Sequence, residues 1–311
     1  MKKTSSLSII FKAALFRAAV FSACAVLFCG SAVLFCGCAE SQKEETVPQE
    51  ITFNGKNYSL TFDDEFNSDS LDTTKWRYSP EIVRQGKKGW GGWWQNKCST
   101  VENGNYVCTC TIDKDLPGSQ EGGTPVSGAI QTNEIFEQTY GLYHIRFKIE
   151  KAYGLWYAFW LLSSNMENDH TGDGSAKDGA ELDIFEIVPG ADRENNRADF
   201  GMSVHWDGYD DDKIQSASDF TKYLYDDFYG KYHEVWYLWN KDGYKFYMDG
   251  TGEENLIFDF PAEQYGKEAC EEPCYMILSA EYGIWGGEID PKMLPAHFYV
   301  DYVRVYKEAS E

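Results

Sequence analysis

Positive charge is scarce in this chain: Lys and Arg number 28 against 50 Asp and Glu, a formal charge of −22. Four of those cations, Lys2, Lys3, Lys12 and Arg17, lie in the first 37 residues, so the remainder carries 24 cations against 50 acids, or −26. Such a surface repels phosphate and anionic lipid, which excludes nucleic acid and membrane surfaces as direct partners. Heavily sulfated polymers are disfavoured on the same ground, with Arg84-Lys87-Lys88 as a local basic exception. Internal repeats and a second linker are also missing. That leaves Ile51–Tyr306, ~255 residues of uniform composition, as one large domain with its own core.

Acids are absent from Met1 to Gly37, where cations precede an apolar run from Ala18 to Cys36, the pattern of an export signal. The run ends Leu34-Phe35-Cys36-Gly37-Cys38, which resembles a bacterial lipoprotein cleavage box with Cys38 as the lipidated N-terminus; Phe35 departs from the usual aliphatic choice there. Residues 38–50 then read as an acidic, solvated tether. The expected location is the bacterial cell envelope, reached by export and held by lipid alone, with free secretion after ordinary cleavage as the alternative.

Of nine cysteines, five lie beyond the lipidation site: Cys98, Cys108, Cys110, Cys270 and Cys274. Oxidation after export would pair Cys98 with Cys108 or Cys110, and Cys270 with Cys274, leaving one over. A zinc site from the same residues is the competing reading. The Asp-rich stretch Asp207–Asp212 lacks the spacing and closing Glu of a calcium loop and reads as a solvated turn.

Beyond the tether, short runs rich in Tyr, Phe, Val, Ile and Trp alternate with turns such as Glu102-Asn103-Gly104-Asn105 and Met248-Asp249-Gly250. This is an all-β pattern. Tyr140–Ile149 alternates, with Leu142, His144, Arg146 and Lys148 on one face and Tyr143, Ile145, Phe147 and Ile149 on the other. Trp236–Asn240 and Gly243–Met248 form a hairpin with Asp242-Gly243 at its tip. A short helix is expected around Asp259–Tyr265. The whole suits a two-sheet antiparallel β-sandwich of jelly-roll type with a concave substrate cleft. Ten tryptophans and 21 tyrosines exceed what such a core requires, and aromatic faces stack on sugar C–H faces. Taken singly each tryptophan reads as core; as a set, Trp156, Trp160, Trp206 and Trp285 point to a binding groove. His205 is a candidate partner for an acid or a sugar hydroxyl, with a structural role equally open.

Three carboxylates fall within six residues of a strand-like segment, Glu181-Leu182-Asp183-Ile184-Phe185-Glu186. On a regular strand Glu181 and Asp183 share a face and Glu186 points away. A β-bulge at Ile184-Phe185 restores the parity and gathers all three. Two converging carboxylates suit glycoside hydrolysis, in which one attacks the anomeric carbon and the other protonates the leaving oxygen, roughly 5–5.5 Å apart for retention. A metal site or a polar strand edge is the blander reading of the bare pattern.

The order of motifs resembles glycoside hydrolase family 16, in the branch with the bulged E-x-D-x-x-E strand of laminarinases, agarases and carrageenases. ELDIFE is similar to the active-site strand; LTFDDEF (Leu60–Phe66), VENGNY (Val101–Tyr106), GAIQT (Gly128–Thr132), GLWYAFWLL (Gly154–Leu162), YKFYMDG (Tyr244–Gly250) and DYVRVY (Asp301–Tyr306) follow the family's order around it. The resemblance implies a concanavalin A-like sandwich. It implies Glu181 as nucleophile, Glu186 as general acid/base, Asp183 as helper, and no cofactor for catalysis. It also implies a structural calcium held by Glu65, the Gly104 carbonyl and Asp301. Tyr157, Trp90–Asn96 and Ala280–Gly287 depart from the laminarinase pattern, which leaves linkage and sugar specificity open.

The expected function is a retaining endo-hydrolase of a β-linked polysaccharide, most of all a β-1,3- or mixed 1,3/1,4-glucan, acting as a monomer. The alternatives are a β-galactan hydrolase and a non-catalytic surface glycan-binding lipoprotein. The last has no use for both Glu181 and Glu186. Transglycosylation stays open, since water exclusion decides the fate of the shared intermediate.

Overall fold

Strict alternation in Leu155–Ser163 shows how the chain divides inside from outside. Leu155, Tyr157, Phe159 and Leu161 join the main hydrophobic core, while Trp156, Ala158, Trp160 and Leu162 form a second cluster on the opposite face. A half-buried strand needs only one apolar face; here both faces are buried, the second packing in a cluster with Trp94, Ala129, Met166, Val188, Tyr275 and Ile277.

The structure, a computed structural model, describes residues 46–84, 92–116, 122–168, 172–209 and 212–309. The leader, Cys38 and most of the tether lie outside the described residues, as do Lys87 and Lys88. Two sheets make up the unit from Thr46 onward. The seven-stranded sheet runs in the order Gln215–Leu224, Arg197–Trp206, Ala180–Asp192, Leu155–Ser163, Cys274–Tyr282, Ala129–Gln131 and Arg77–Tyr78. The eleven-stranded sheet is centred on Gly141–Ile149, His233–Asn240 and Ala296–Glu308. Among the described residues, pairing is antiparallel except where Trp93–Trp94 runs parallel to Thr124–Ser127. Between the sheets, Phe147 of one stacks on Phe185 of the other with ring centroids 4.6 Å apart.

Gly141–Ile149 alternates as its sequence implies: Tyr143, Ile145, Phe147 and Ile149 face the core. Its outer face is also covered, because the hairpin of Glu50–Phe53 and Lys56–Asp64 brings Phe53 and Tyr58 against Leu142, Leu238, Tyr247 and Tyr306. The domain's first strand begins at Glu50.

Four expectations are corrected. Asp259–Tyr265 is no helix: Leu256–Pro261 is a strand paired with Gly243–Met248, followed by one turn in which the Pro261 carbonyl accepts from Gln264 and Tyr265. The Trp236 hairpin turns at Lys241-Asp242, with Gly243 already paired to Asn240. Of the stretch Asp207–Asp212, Asp210 and Asp211 lie outside the described residues and Asp212 is exposed, but Asp207 is 1% exposed and its two carboxylate oxygens accept from the Gly174 N–H at 3.0 and 3.1 Å, so it is a buried anchor instead of a solvated turn residue. The five cysteines are free, buried thiols. Cys108 donates to the Gly128 carbonyl at 3.2 Å, and burial pushes the Cys98 thiol up to about 12.

Candidate active site

The strand Ala180–Asp192 carries the bulge that parity demands. Asp183 pairs with Ser203 and Glu186 with Gly201, so two residues on one strand, Ile184 and Phe185, stand against one on the other, Met202. On the opposite edge, Phe159 faces Phe185 and Trp160 faces Asp183, skipping Ile184. The extra residue turns Ile184 and Phe185 into the core and returns Glu186 to the face of Glu181 and Asp183. All three acids line one cavity of about 80 Å³, together with Trp156, Ala158, Trp160, Arg84 and Glu281.

Each acid is held differently. Asp183 is 5% exposed and lies 3.2 Å from His205 Nε2. The same imidazole nitrogen is 3.9 Å from Glu181, and its Nδ1 shares a hydrogen bond of 2.6 Å with Ser216. Glu181 accepts a hydrogen bond from the Tyr209 hydroxyl. Desolvation, then the charge of Asp183, pushes Glu181 up to about 7, while His205, the Tyr209 hydrogen bond and Arg84 pull it back. Desolvation also raises Glu186 well above the usual carboxylate range, helped by Asp183, Glu181 and Glu281, with a hydrogen bond from Trp156 opposing. His205 sits above its ordinary value: burial works against its charge, but the Asp183 hydrogen bond and the charges of Asp183 and Glu181 outweigh it. Two carboxyls of one strand are thus set in unequal surroundings, one beside three stabilising groups and one nearly without, the arrangement that separates a base from an acid. Ligand atoms of Glu181, Asp183 and His205 lie within 4.8 Å of one another, and direct hydrogen bonding already occupies them.

Trp160 is fixed by donation of its Nε1–H to Ser279 Oγ at 3.1 Å. Trp156 packs against Trp285 with centroids 6.1 Å apart, and Trp285, 49% exposed, meets Phe220 edge-on at 5.5 Å. These two rings, with Val188, Ala191 and Asp199, line an adjoining hollow of about 290 Å³. Gly201 makes it possible: a Cβ there would stand 2.3 Å from the Phe220 ring.

Trp206 does not join this surface. Its neighbour His205 faces the cleft, so strand alternation turns the indole inward, where it is 8% exposed in the main core. Sequence reading missed Arg84 and Glu281 as a pair, and Trp94 beneath them. The donors implied for a calcium do not fit one as placed. Glu65 binds Arg304 through two hydrogen bonds of 2.7 and 2.8 Å, and Asp301 accepts from Arg146, so a guanidinium already neutralises each carboxylate.

The sequence model described as "Glycosyl hydrolases family 16" matches residues 87–304. The chain belongs to glycosyl hydrolase family 16. A glucan endo-1,3-beta-glucosidase A1 of Niallia circulans is 26% identical over 275 residues, covering 80% of this chain and 38% of that protein. A keratan-sulfate endo-1,4-beta-galactosidase of Sphingobacterium multivorum is 26% identical over 259 residues, covering 80% of this chain and 55% of its own. The chain therefore spans well under two thirds of either relative. Among solved structures, the endo-beta-1,3-glucanase of Pyrococcus furiosus aligns with a TM-score of 0.65 and 26% identity, over 85% of this chain and all of that one. The jelly-roll sandwich is the family 16 fold.

Proposed function

We propose that this family 16 protein is a retaining endo-β-glucanase that cleaves β-1,3- or mixed 1,3/1,4-glucan by double displacement. The observation that carries the reading is the bulged strand, which puts Glu181, Asp183 and Glu186 on one face, lining one cavity with Trp156 and Trp160 of the neighbouring strand. Ionised Glu181 attacks the anomeric carbon, and protonated Glu186 delivers its proton to the departing glycosidic oxygen. The glycosyl–Glu181 ester then forms while the reducing-side chain leaves. In the second half, Glu186 takes a proton from water, the hydroxide oxygen bonds the anomeric carbon, and Glu181 departs as carboxylate. Asp183, between them and bound to His205, orients the nucleophile and keeps negative charge near the proton donor.

The glucan assignment draws support from relatives named as 1,3-β-glucanases in both sequence and structure. The galactosidase relative supports a β-galactan hydrolase as the second reading. Reducing-end release from laminarin, mixed-linkage glucan, agarose, carrageenan and β-galactan separates them. Cleavage of a glucan that Glu181→Ala and Glu186→Ala both abolish is the expected outcome; binding without cleavage on every polymer would leave a glycan-capture protein. The reading extends to export and lipidation at Cys38. Replacing Cys38 by Ala should release the protein from the membrane fraction, and continued sedimentation with membranes would sink that part.

A further inference from the structure

Double displacement uses two carboxylates and a helper, yet this pocket holds a fourth acid. Glu281 lies on Cys274–Tyr282, opposite Trp156 in the neighbouring strand, and is 4% exposed. Arg84 donates to it from Nε and Nη2 at 3.2 and 3.1 Å. The guanidinium lies 4.1 Å from the Trp94 ring centroid, and Trp94 is itself held by Nε1–H donation to the Ala280 carbonyl at 3.3 Å. This fork is locked from two sides, lines the cavity of the three acids, and has no part in the bond-breaking steps.

An arginine has five N–H donors, two of which Glu281 takes. The remaining donors, beside a carboxylate with spare lone pairs, complement a pair of sugar hydroxyls. An arginine facing substrate alone would instead receive sulfate or carboxylate. Glu281 cancels that charge, and ionised Glu181 in the same cavity repels an anion further. We infer that the Arg84–Glu281 pair is a specificity-determining subsite that takes an uncharged sugar unit through its free hydroxyls and rejects one bearing sulfate or carboxylate. The inference rests on the glucanase reading, in which every unit is neutral.

The test compares kcat/KM on laminarin and on laminarin sulfate for the full-length protein, Glu281→Gln, Arg84→Met and the double variant. Wild type should strongly prefer the neutral polymer. Glu281→Gln leaves the guanidinium unbalanced and should raise the sulfated-to-neutral ratio about tenfold or more. Arg84→Met should lower that ratio, and adding it to Glu281→Gln should remove the gain, which distinguishes charge from mere loosening. If Glu281→Gln folds poorly, the fall in ratio with Arg84→Met still decides. Equal losses on both polymers, with the ratio unchanged in variants that still cleave laminarin, would overturn this inference alone. Failure of the wild type on laminarin would overturn the glucanase reading and this subsite with it.

Discussion

On the outer face of the eleven-stranded sheet, Glu65 meets Arg304, Asp301 meets Arg146 and Glu234 meets His144. In the cleft, among the described residues, four carboxylates share one guanidinium and one imidazole. Both sets of acids sit on neighbouring strands of a sandwich, so the fold does not dictate the difference; the supply of cations does. Matched pairs hold a sheet face together at modest gain, whereas burial in the crowded cleft raises Glu181 and Glu186 above the ordinary carboxylate range, as groups that exchange protons require.

The comparison is broken most severely in activity. Glu181→Ala should cut kcat/KM by ~10⁴-fold or more and Glu186→Ala by ~10²–10⁴-fold, whereas Glu65→Ala on the outer face should leave the rate near wild type. Steady-state kinetics on laminarin checks all three.

Stability should respond with opposite signs on the two faces. Burial, then Asp183, lifts Glu181 from 4.5 to about 7. The raised pKa means that its favourable contribution is complete below pH 4.5 and is lost as pH rises through about 7. Glu181→Gln should therefore stabilise the fold at pH 8, by at most about 3 kcal/mol, and do nothing at pH 4. Arg304→Met should instead destabilise by about 2 kcal/mol, by leaving the partly buried Glu65 carboxylate alone, with catalysis unchanged. Denaturant melts at the two pH values read both effects, and destabilisation by Glu181→Gln at pH 8 would contradict the first.

The smallest effect is in the pH profile. Activity should rise through an acid limb near pH 7 as Glu181 ionises and fall when Glu186 loses its proton, both limbs belonging to the coupled pair. Tyr209→Phe removes a hydrogen bond that lowers Glu181, so the acid limb should move to higher pH. Movement the other way would remove Tyr209 from the nucleophile's support.

The bulge was legible because parity is a counting argument: Glu186 could join Glu181 and Asp183 only through one extra residue, and the strand pairings show it. The same counting would have excluded Trp206, since His205 and Trp206 are adjacent and cannot both face the cleft; reading the tryptophans as a set overrode it. Arg84 and Glu281 were illegible for another reason. They are 197 positions apart, and each alone looks like an ordinary charged residue until the strand order brings them over Trp94. Asp259–Tyr265 misled because its polar turn residues hide the pairing of Leu256–Pro261, which is set by the neighbouring strand Gly243–Met248 and not by local propensity.

The most direct test of the carboxylate mechanism is the anomer first released. Proton NMR during hydrolysis of a short mixed-linkage glucan by residues 39–311 should show the new reducing end as the β anomer, with the α form growing in later by mutarotation. An α anomer appearing first would mean inversion and would contradict Glu181 as a nucleophile forming a covalent intermediate.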